Sequence, residues 1–294
     1  MRALRACRQA LPGWLGHPWL EKCTIVETLR LKELLQNLAM SLVDGAASLW
    51  PRSLPAESAL RNCKIISHRG EHDNVRVNEN TLKAFSHARS AGVWGIECDI
   101  RWTQDNVPVI CHDADTARVF GRKLVVAATP FDELRQALPE LPSLAELIDA
   151  FAGKAHLMLE IKTFDPDRLD EQRAILESYL QPLQPGTDYH FLALDPELFA
   201  LAAFAPASAL LPVAETNVAS LSAVSLARGY CGLAGHFLLM SSAVQQRHEA
   251  AGQRIGVGFP RSRNSLFREL NRGVEWIFSN DAVKLQGILD RNLP

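Results

Sequence analysis

With 294 residues, 47% of them hydrophobic and 22% charged, the chain has an ordinary globular composition and enough apolar material to bury a core unaided. A formal net charge of -2 spreads no basic field for nucleic acid, so any bound anion must be held by a local set of cations. The six cysteines, Cys7, Cys23, Cys63, Cys98, Cys111 and Cys231, form no C-x-x-C pair and predict free, mostly buried thiols in a reducing compartment.

Arg2, Arg5 and Arg8 open the chain, but Pro12, Gly13, His17 and Pro18 interrupt any apolar run that would make a signal peptide. No stretch is long and apolar enough to span a bilayer, so a cytoplasmic location is expected. From Thr24 to Trp50 the side chains of Leu31, Leu34, Leu35, Leu38 and Leu42 share one helical face, and Thr24 with Glu27 has capping-box spacing. Arg30 and Lys32 are nearly the only cations of that segment. Packing on the rest of the chain, or on a partner subunit of a homo-oligomer, is therefore favoured over attachment to a membrane surface. Pro51 and Pro55, with serines around them, read as a linker. Residues 1–60 are thus expected to be a helical extension and residues 61–294 the main domain.

Past residue 60, short β-like runs alternate with helical stretches. Strands are predicted at Lys64–Ser67, Val93–Ile100, Val107–Cys111, His156–Ile161, Tyr189–Leu194, Leu210–Ala214, His236–Met240, Arg254–Phe259 and Trp276–Ser279. Helices are predicted over Thr81–Ser90, Ser143–Phe151, Arg168–Leu180 and Ala243–Ala251. Such alternation builds parallel βαβ units. Only Arg101–Asn106 separates the second and third runs, too short for a parallel crossover, so these two form an antiparallel hairpin. Eight parallel strands remain, over a span close to the roughly 250 residues of a TIM barrel. The predicted fold is α/β: a (β/α)8 TIM barrel with a hairpin excursion after its second strand and an N-terminal helical extension.

The chemistry gathers at strand ends. In Glu97–Cys98–Asp99 the alternation of a strand turns both carboxylates to one face. Glu160–Ile161–Lys162 repeats the geometry with a carboxylate and an ammonium. An isolated E-x-D is more often a surface ion pair, but its recurrence at the carboxyl end of a second strand, where barrel sites are assembled, points to a site. Three carboxylates without cysteine or paired histidine ligands suit one hard divalent ion, Mg2+ or Ca2+, rather than zinc. His68 and Arg69 close the first strand, where Gly70 frees the backbone to turn; His112 and Asp113 close the hairpin strand. Two imidazoles brought to one rim suit a general acid and a general base, and Arg69 with Lys162 suits a phosphoryl clamp. His17, His72, His87, His156, His190, His236 and His248 read as hydrogen-bonded structural residues.

In chain order these residues form H-R-G at His68–Gly70, E-N-T at Glu79–Thr81, A-F at Ala84–Phe85, E-x-D at Glu97–Asp99, T-x-D at Thr103–Asp105, P-V at Pro108–Val109, H-D at His112–Asp113 and E-I-K at Glu160–Lys162. This series resembles the glycerophosphodiester phosphodiesterase family, in its compact form without a large inserted domain. The likeness is dense from Ile65 to Lys162, includes Arg118 and Leu141–Leu147, and thins towards Gly273–Asp281. It implies a TIM barrel with Glu97, Asp99 and Glu160 on the metal, His68 and His112 as the acid–base pair, and Arg69 and Lys162 on phosphate. Glu79 and Asn80 would brace the site, with Thr81 capping the next helix. The implied reaction is hydrolysis of a small-molecule glycerophosphodiester to sn-glycerol 3-phosphate and an alcohol.

The likeness fails at three places. Asn78 stands where the family has Pro before E-N-T, the loop Gly258–Asn264 keeps only Asn264 of its motif, and the closing T-D reads Asn280–Asp281. These changes spare the carboxylates and histidines and fall on the expected pocket wall. They leave open a lysophospholipase D-like or lyase activity on lipid head groups, and a barrel that binds phosphoesters without catalysis.

Overall fold

Nine strands alternate with helices from Lys64 onward in the structure, a computed structural model that describes Gly45 and residues 49–293. The strands are β1 (Lys64–His68), β2 (Gly95–Trp102), β3 (Pro108–Ile110), β4 (His156–Ile161), β5 (Tyr189–Ala193), β6 (Leu210–Ala214), β7 (Gly232–His236), β8 (Arg254–Gly258) and β9 (Trp276–Ser279). β1 pairs in parallel with both β2 and β9, so the sheet closes on itself. β3 alone runs antiparallel, against the outer end of β2, with Ile100 opposite Ile110 and Trp102 opposite Pro108. The molecule is the expected (β/α)8 barrel with a hairpin excursion. Most of the amphipathic segment expected over 24–50 lies outside the described residues. Among the described residues no helix is long and apolar enough to cross a membrane.

Strand alternation divides the core. Ile65, Ile96, Leu157, Phe191 and Ile277 point outward and are buried under the helices, while Ile66, Met158, Leu192, Leu211, Ala234, Trp276 and Phe278 fill the barrel interior. Two residues further along β1, β2 and β4 the inward positions turn ionic, at His68, Glu97, Asp99 and Glu160. Register finishes the placement: His68 lies opposite Glu97, and Asp99 opposite Glu160. Local signals position the loops around them. The Thr81 side chain accepts the Ala84 amide and caps Leu82–Ser90, and Ser143 with Glu146 forms a full capping box on Leu144–Phe151. Gly70 turns at φ +81°, where a Cβ would sit 2.7 Å from the Cβ of Ala84.

One strand differs from expectation. The strand expected at His236–Met240 instead ends at His236; β7 is built from Gly232, Leu233, Ala234, Gly235 and His236, and Phe237–Met240 lie beyond it. Small residues are required there because neighbouring strands come so close. A Cβ on Gly232 would lie 1.9 Å from the Arg254 carbonyl oxygen, and one on Gly235 would lie 3.0 Å from that of Ala214. Beyond the strand, Phe237 and Met240 still bury their side chains, whereas Leu238 and Leu239 face solvent. The four described cysteines, Cys63, Cys98, Cys111 and Cys231, are all free thiols.

Gly232→Ala is expected to destabilise the barrel by about 1–3 kcal/mol or more, since the clash is with backbone rather than a mobile side chain. Urea unfolding measures the loss, and an unchanged midpoint would contradict the close approach of β7 and β8.

Candidate active site

Every site residue expected from the sequence reaches the carboxyl-terminal mouth of the barrel. His68, Arg69, Glu97, His112, Glu160 and Lys162 form one wall of a cleft of about 260 Å3. Asp99 lies beneath them, fully buried. One carboxylate oxygen from each of Glu97, Asp99 and Glu160 lies within 4.8 Å of the other two. Two cations answer these three acids. Lys162 Nζ lies 2.9 Å from Asp99 Oδ1 and also contacts Glu160, and Arg69 Nε lies 3.3 Å from Asp99 Oδ2. Asn80, in the left-handed region at φ 56°, donates to Asp99 Oδ2 at 2.7 Å. Burial raises the Asp99 pKa, but Arg69 and Lys162 outweigh it and hold the group well below the carboxylate range.

Glu97 is left in the opposite state. Its Oε2 accepts the Arg69 amide at 3.1 Å, while its buried Oε1 has no partner. Burial, and then the charges of Asp99 and Glu160, push its pKa well above normal. A buried carboxylate with an orphan oxygen, in a cluster one negative charge over balance, fits a hard divalent cation, with Glu97, Asp99 and Glu160 as the protein donors.

The two imidazoles are held alike. His68 Nδ1 lies 2.5 Å from Asn280 Oδ1, and His112 Nδ1 lies 2.7 Å from Asp113 Oδ1. Each oxygen accepts from an N–H, so both rings carry the proton on Nδ1 and keep Nε2 unprotonated in the neutral form. Burial, then the neighbouring Arg69 charge, lowers the His68 pKa to about 3. Behind them Arg118 joins the parts: its Nε donates to Asp113 at 2.5 Å and its terminal nitrogens to Glu79 at 2.6 and 3.0 Å. Glu79 also accepts from Arg69 at 3.0 Å and Asn74 at 2.7 Å. Burial opposes ionisation of Glu79, yet the Arg118 bonds and the charge of Arg69 keep it an anion far below its usual pKa.

Sequence reasoning did not find the roles of Asn280 and Arg118. Asn280 looked only like a departure from T-D, and nothing in its spacing connects it to a histidine 212 positions away. The loop Gly258–Asn264, expected on the pocket wall, does supply Gly258 and Phe259 to the opposite wall, but sequence reasoning missed its other members, Leu192, Leu194, Val213 and His236, which come from β5 to β7. Asn264, the one matching residue of the altered loop, does not line the cleft; its Oδ1 accepts the Arg52 amide at 3.4 Å instead. Asn78 binds Glu140 at 3.0 Å on the surface.

Residues 68–183 match the model of the Glycerophosphoryl diester phosphodiesterase family. Over that span, less than half of its length, the chain is similar to the glycerophosphodiester phosphodiesterase family. Glycerophosphodiester phosphodiesterases of Bacillus altitudinis and Caldanaerobacter subterraneus are 29% and 31% identical over 110 and 111 residues, which is 34% of this chain in each case. Those matches cover 44% and 45% of the two relatives, less than half of their length. Among solved structures, an Oleispira antarctica phosphodiesterase in complex with the product sn-glycerol-3-phosphate superposes with a TM-score of 0.68 at 23% identity. It covers 77% of this chain and 96% of its own. The Thermotoga maritima glycerophosphodiester phosphodiesterase superposes with a TM-score of 0.65 at 19% identity, over 77% and 98% of the two chains. These two structural likenesses bear on the fold. The family motifs fall within the matched span up to Lys162, whereas Asn280 and the apolar wall lie beyond it.

The raised Glu97 pKa carries a sign. Between the unfolded value near ~4.3 and the higher folded one, the folded state holds a proton that the unfolded state has released. The metal-free protein therefore loses stability as pH rises through that window. Glu97→Gln is expected to raise the thermal midpoint of metal-free protein at pH 8, by about 2–4 °C per kcal/mol gained. The same change should abolish the wild-type response to Mg2+ or Ca2+, about 2.7 kcal/mol at an ion concentration one hundred times Kd. Calorimetry with and without each ion checks both points; a wild-type midpoint indifferent to both would remove the cation from the site.

Asn280→Leu is expected to cut kcat by about 10- to 100-fold with little change in KM, as the His68 ring loses the acceptor that sets its tautomer. Asn280→Asp, which still accepts from Nδ1, should restore most of the rate. Equal losses in both variants would show that the contact does not orient the ring.

Proposed function

We propose that the protein hydrolyses glycerophosphodiesters to sn-glycerol 3-phosphate and an alcohol, with a divalent cation held by Glu97, Asp99 and Glu160 and with His68 and His112 sharing the proton transfers. The observation that carries this reading is the matched anchoring of two imidazoles by Nδ1, at one cleft that also contains the three-carboxylate cluster. The family match over residues 68–183 supports the same reaction, and so does the product complex of the structurally similar Oleispira phosphodiesterase.

The side chains suggest a division of labour. Arg69 and Lys162, now paired with Asp99, are placed to turn to a phosphoryl anion once other charge compensates the acids. Bound among the three carboxylates, a divalent cation supplies that compensation and neutralises phosphoryl charge. His68, anchored through Nδ1 to Asn280, keeps an unprotonated Nε2 at the cleft, the atom that would take a proton from the nucleophile. The nucleophile is water, which gives sn-glycerol 3-phosphate directly, or the neighbouring glycerol hydroxyl, which gives a cyclic phosphodiester that water then opens to the same product. As the nucleophile's oxygen bonds to phosphorus, the bond to the alcohol breaks and His112 protonates the leaving alkoxide. His112 rests on Asp113, a carboxylate partner suited to an imidazole that passes through its cationic form.

Two measurements test the proposal. Release of sn-glycerol 3-phosphate from the choline, ethanolamine, glycerol and inositol diesters should depend on added Mg2+ or Ca2+ and stop with chelator. His68→Ala and His112→Ala should each lose about 10²–10⁴ in kcat with the fold intact by circular dichroism. Full activity in chelator, or near-normal turnover by either variant, would refute the corresponding part of the mechanism.

A further inference from the structure

One flank of the barrel is built from three pieces far apart in sequence. The helix Arg263–Asn271 follows β8, so its first turn lies at the mouth end of the strands and its last turn at the opposite end. Two of its side chains hold the segment before the barrel against it. Asn264 Oδ1 accepts the Arg52 amide at 3.4 Å, and Asn271 Nδ2 donates to the Ser53 carbonyl at 3.0 Å. That segment therefore runs antiparallel to the helix, and Leu49 and Trp50, which precede Arg52, fall at the mouth end. The same helix is tied to the loop after β7. Arg268 Nη1 donates to the Phe237 carbonyl at 3.4 Å, and Arg272 Nη2 to that of Met240 at 2.6 Å. Segment, helix and loop thus form one continuous face beside the cleft.

What this face shows to solvent is apolar or cationic. Among the described residues eight large apolar side chains are exposed, and five of them, Leu49, Trp50, Leu54, Leu238 and Leu239, lie here. Single exposed apolar residues scatter on most proteins, whereas a concentration on one face marks a contact surface. Arg52 and Arg263 are exposed beside them. Residues 49–56, 236–248 and 259–268 contain no Asp or Glu, although the whole chain has a net charge of -2. Glu269, the next acid along, is buried between Arg268 and Arg272. The sign of the charge chooses the occupant. A second copy of the chain, docked about a two-fold axis, would set these cations against one another. An anionic lipid surface would instead accept arginine at its phosphates and leucine below them, and tryptophan prefers that boundary. The preceding sequence has the same character: the first twenty residues carry Arg2, Arg5 and Arg8, with Trp14 and Trp19 and no acid.

We propose that this face docks the protein on an anionic phospholipid bilayer, with Leu49, Trp50, Leu238 and Leu239 entering the headgroup layer and Arg52 and Arg263 meeting lipid phosphates. The attachment is peripheral, since among the described residues no helix is long and apolar enough to cross a membrane. It does not depend on the amphipathic pattern over 24–50, whose scarcity of cations counts against a membrane role. The cations of this face come from the linker and from the turn after β8, which only the fold brings together. Docking is separate from the reaction proposed above, and each stands or falls without the other.

The test is flotation of the full chain with vesicles of phosphatidylcholine alone, and of phosphatidylcholine mixed with phosphatidylglycerol, at low and high salt. Co-flotation with the mixed vesicles, weakened by salt, is expected. Arg52→Gln/Arg263→Gln should weaken partition about 30-fold, from about fivefold for each arginine at an anionic surface. Leu238→Asp/Leu239→Asp should weaken it by about tenfold or more. Both double variants should keep the wild-type thermal midpoint and the wild-type rate on sn-glycero-3-phosphocholine. Absence of flotation with anionic vesicles overturns the proposal. Flotation that both double variants leave unchanged also overturns it, by assigning the binding to residues outside this face. A dimer that Leu238→Asp/Leu239→Asp dissolves, without vesicle binding, would give the face to a second copy of the chain. A thermal midpoint lowered by both variants, again without vesicle binding, would give it to the chain's own first residues.

Discussion

Three carboxylates buried within 4.8 Å of one another are the constraint around which the mouth of this barrel is arranged. Such a group cannot be left uncompensated in a low-dielectric interior. Asp99 is answered by Arg69, Lys162 and Asn80, whereas Glu97 is answered only on one oxygen. The backbone accommodates the arrangement. Arg69, Asn80 and Phe259 all take positive φ without being glycine, at 59°, 56° and 73°, and all three stand beside the cleft or its acids. Strain of that kind persists where surrounding contacts over-determine it, as the carboxylate bonds to Arg69 and Asn80 do here.

The second layer turns separate side chains into a unit. Glu79 receives Arg69, Asn74 and Arg118, and Arg118 continues to Asp113 and so to His112. A guanidinium and an imidazole that follow different strands are therefore referred to one buried anion. Loss of Glu79 would leave two guanidinium groups to repel each other in place of the anion that joins them.

The barrel itself was readable because each βαβ unit writes its own period, and the short link after β2 excluded a parallel crossover. The acids were readable because strand alternation assigns a face without knowledge of neighbours. β7 was misplaced because its Gly and Ala residues answer to backbone atoms of β6 and β8, a tertiary demand that outweighs β-propensity. Asn280, Arg118 and the apolar wall were illegible for a related reason. Their meaning comes from partners brought in by barrel closure, and no local spacing encodes closure. His236 shows the limit most plainly: alone it reads as structural, and only the register of β7 brings it to the cleft.

One imidazole belongs to the barrel frame and the other does not. His68 ends β1, whose place is set by barrel strands on both sides, while His112 follows β3, which pairs with the outer end of β2 and, through a single bridge from Val109, with Ser143 of its own excursion. The excursion that carries His112 has its own small apolar cluster around Val109, Val126, Leu134 and Leu141, and packs back on the barrel through Leu144, Leu147 and Phe151. One of the two imidazoles at the cleft thus rides on a segment with a small core of its own. In descent, that segment could lengthen, acquire a cap or be exchanged while the eight-stranded frame stayed closed, so chemical novelty in this architecture has a ready point of entry.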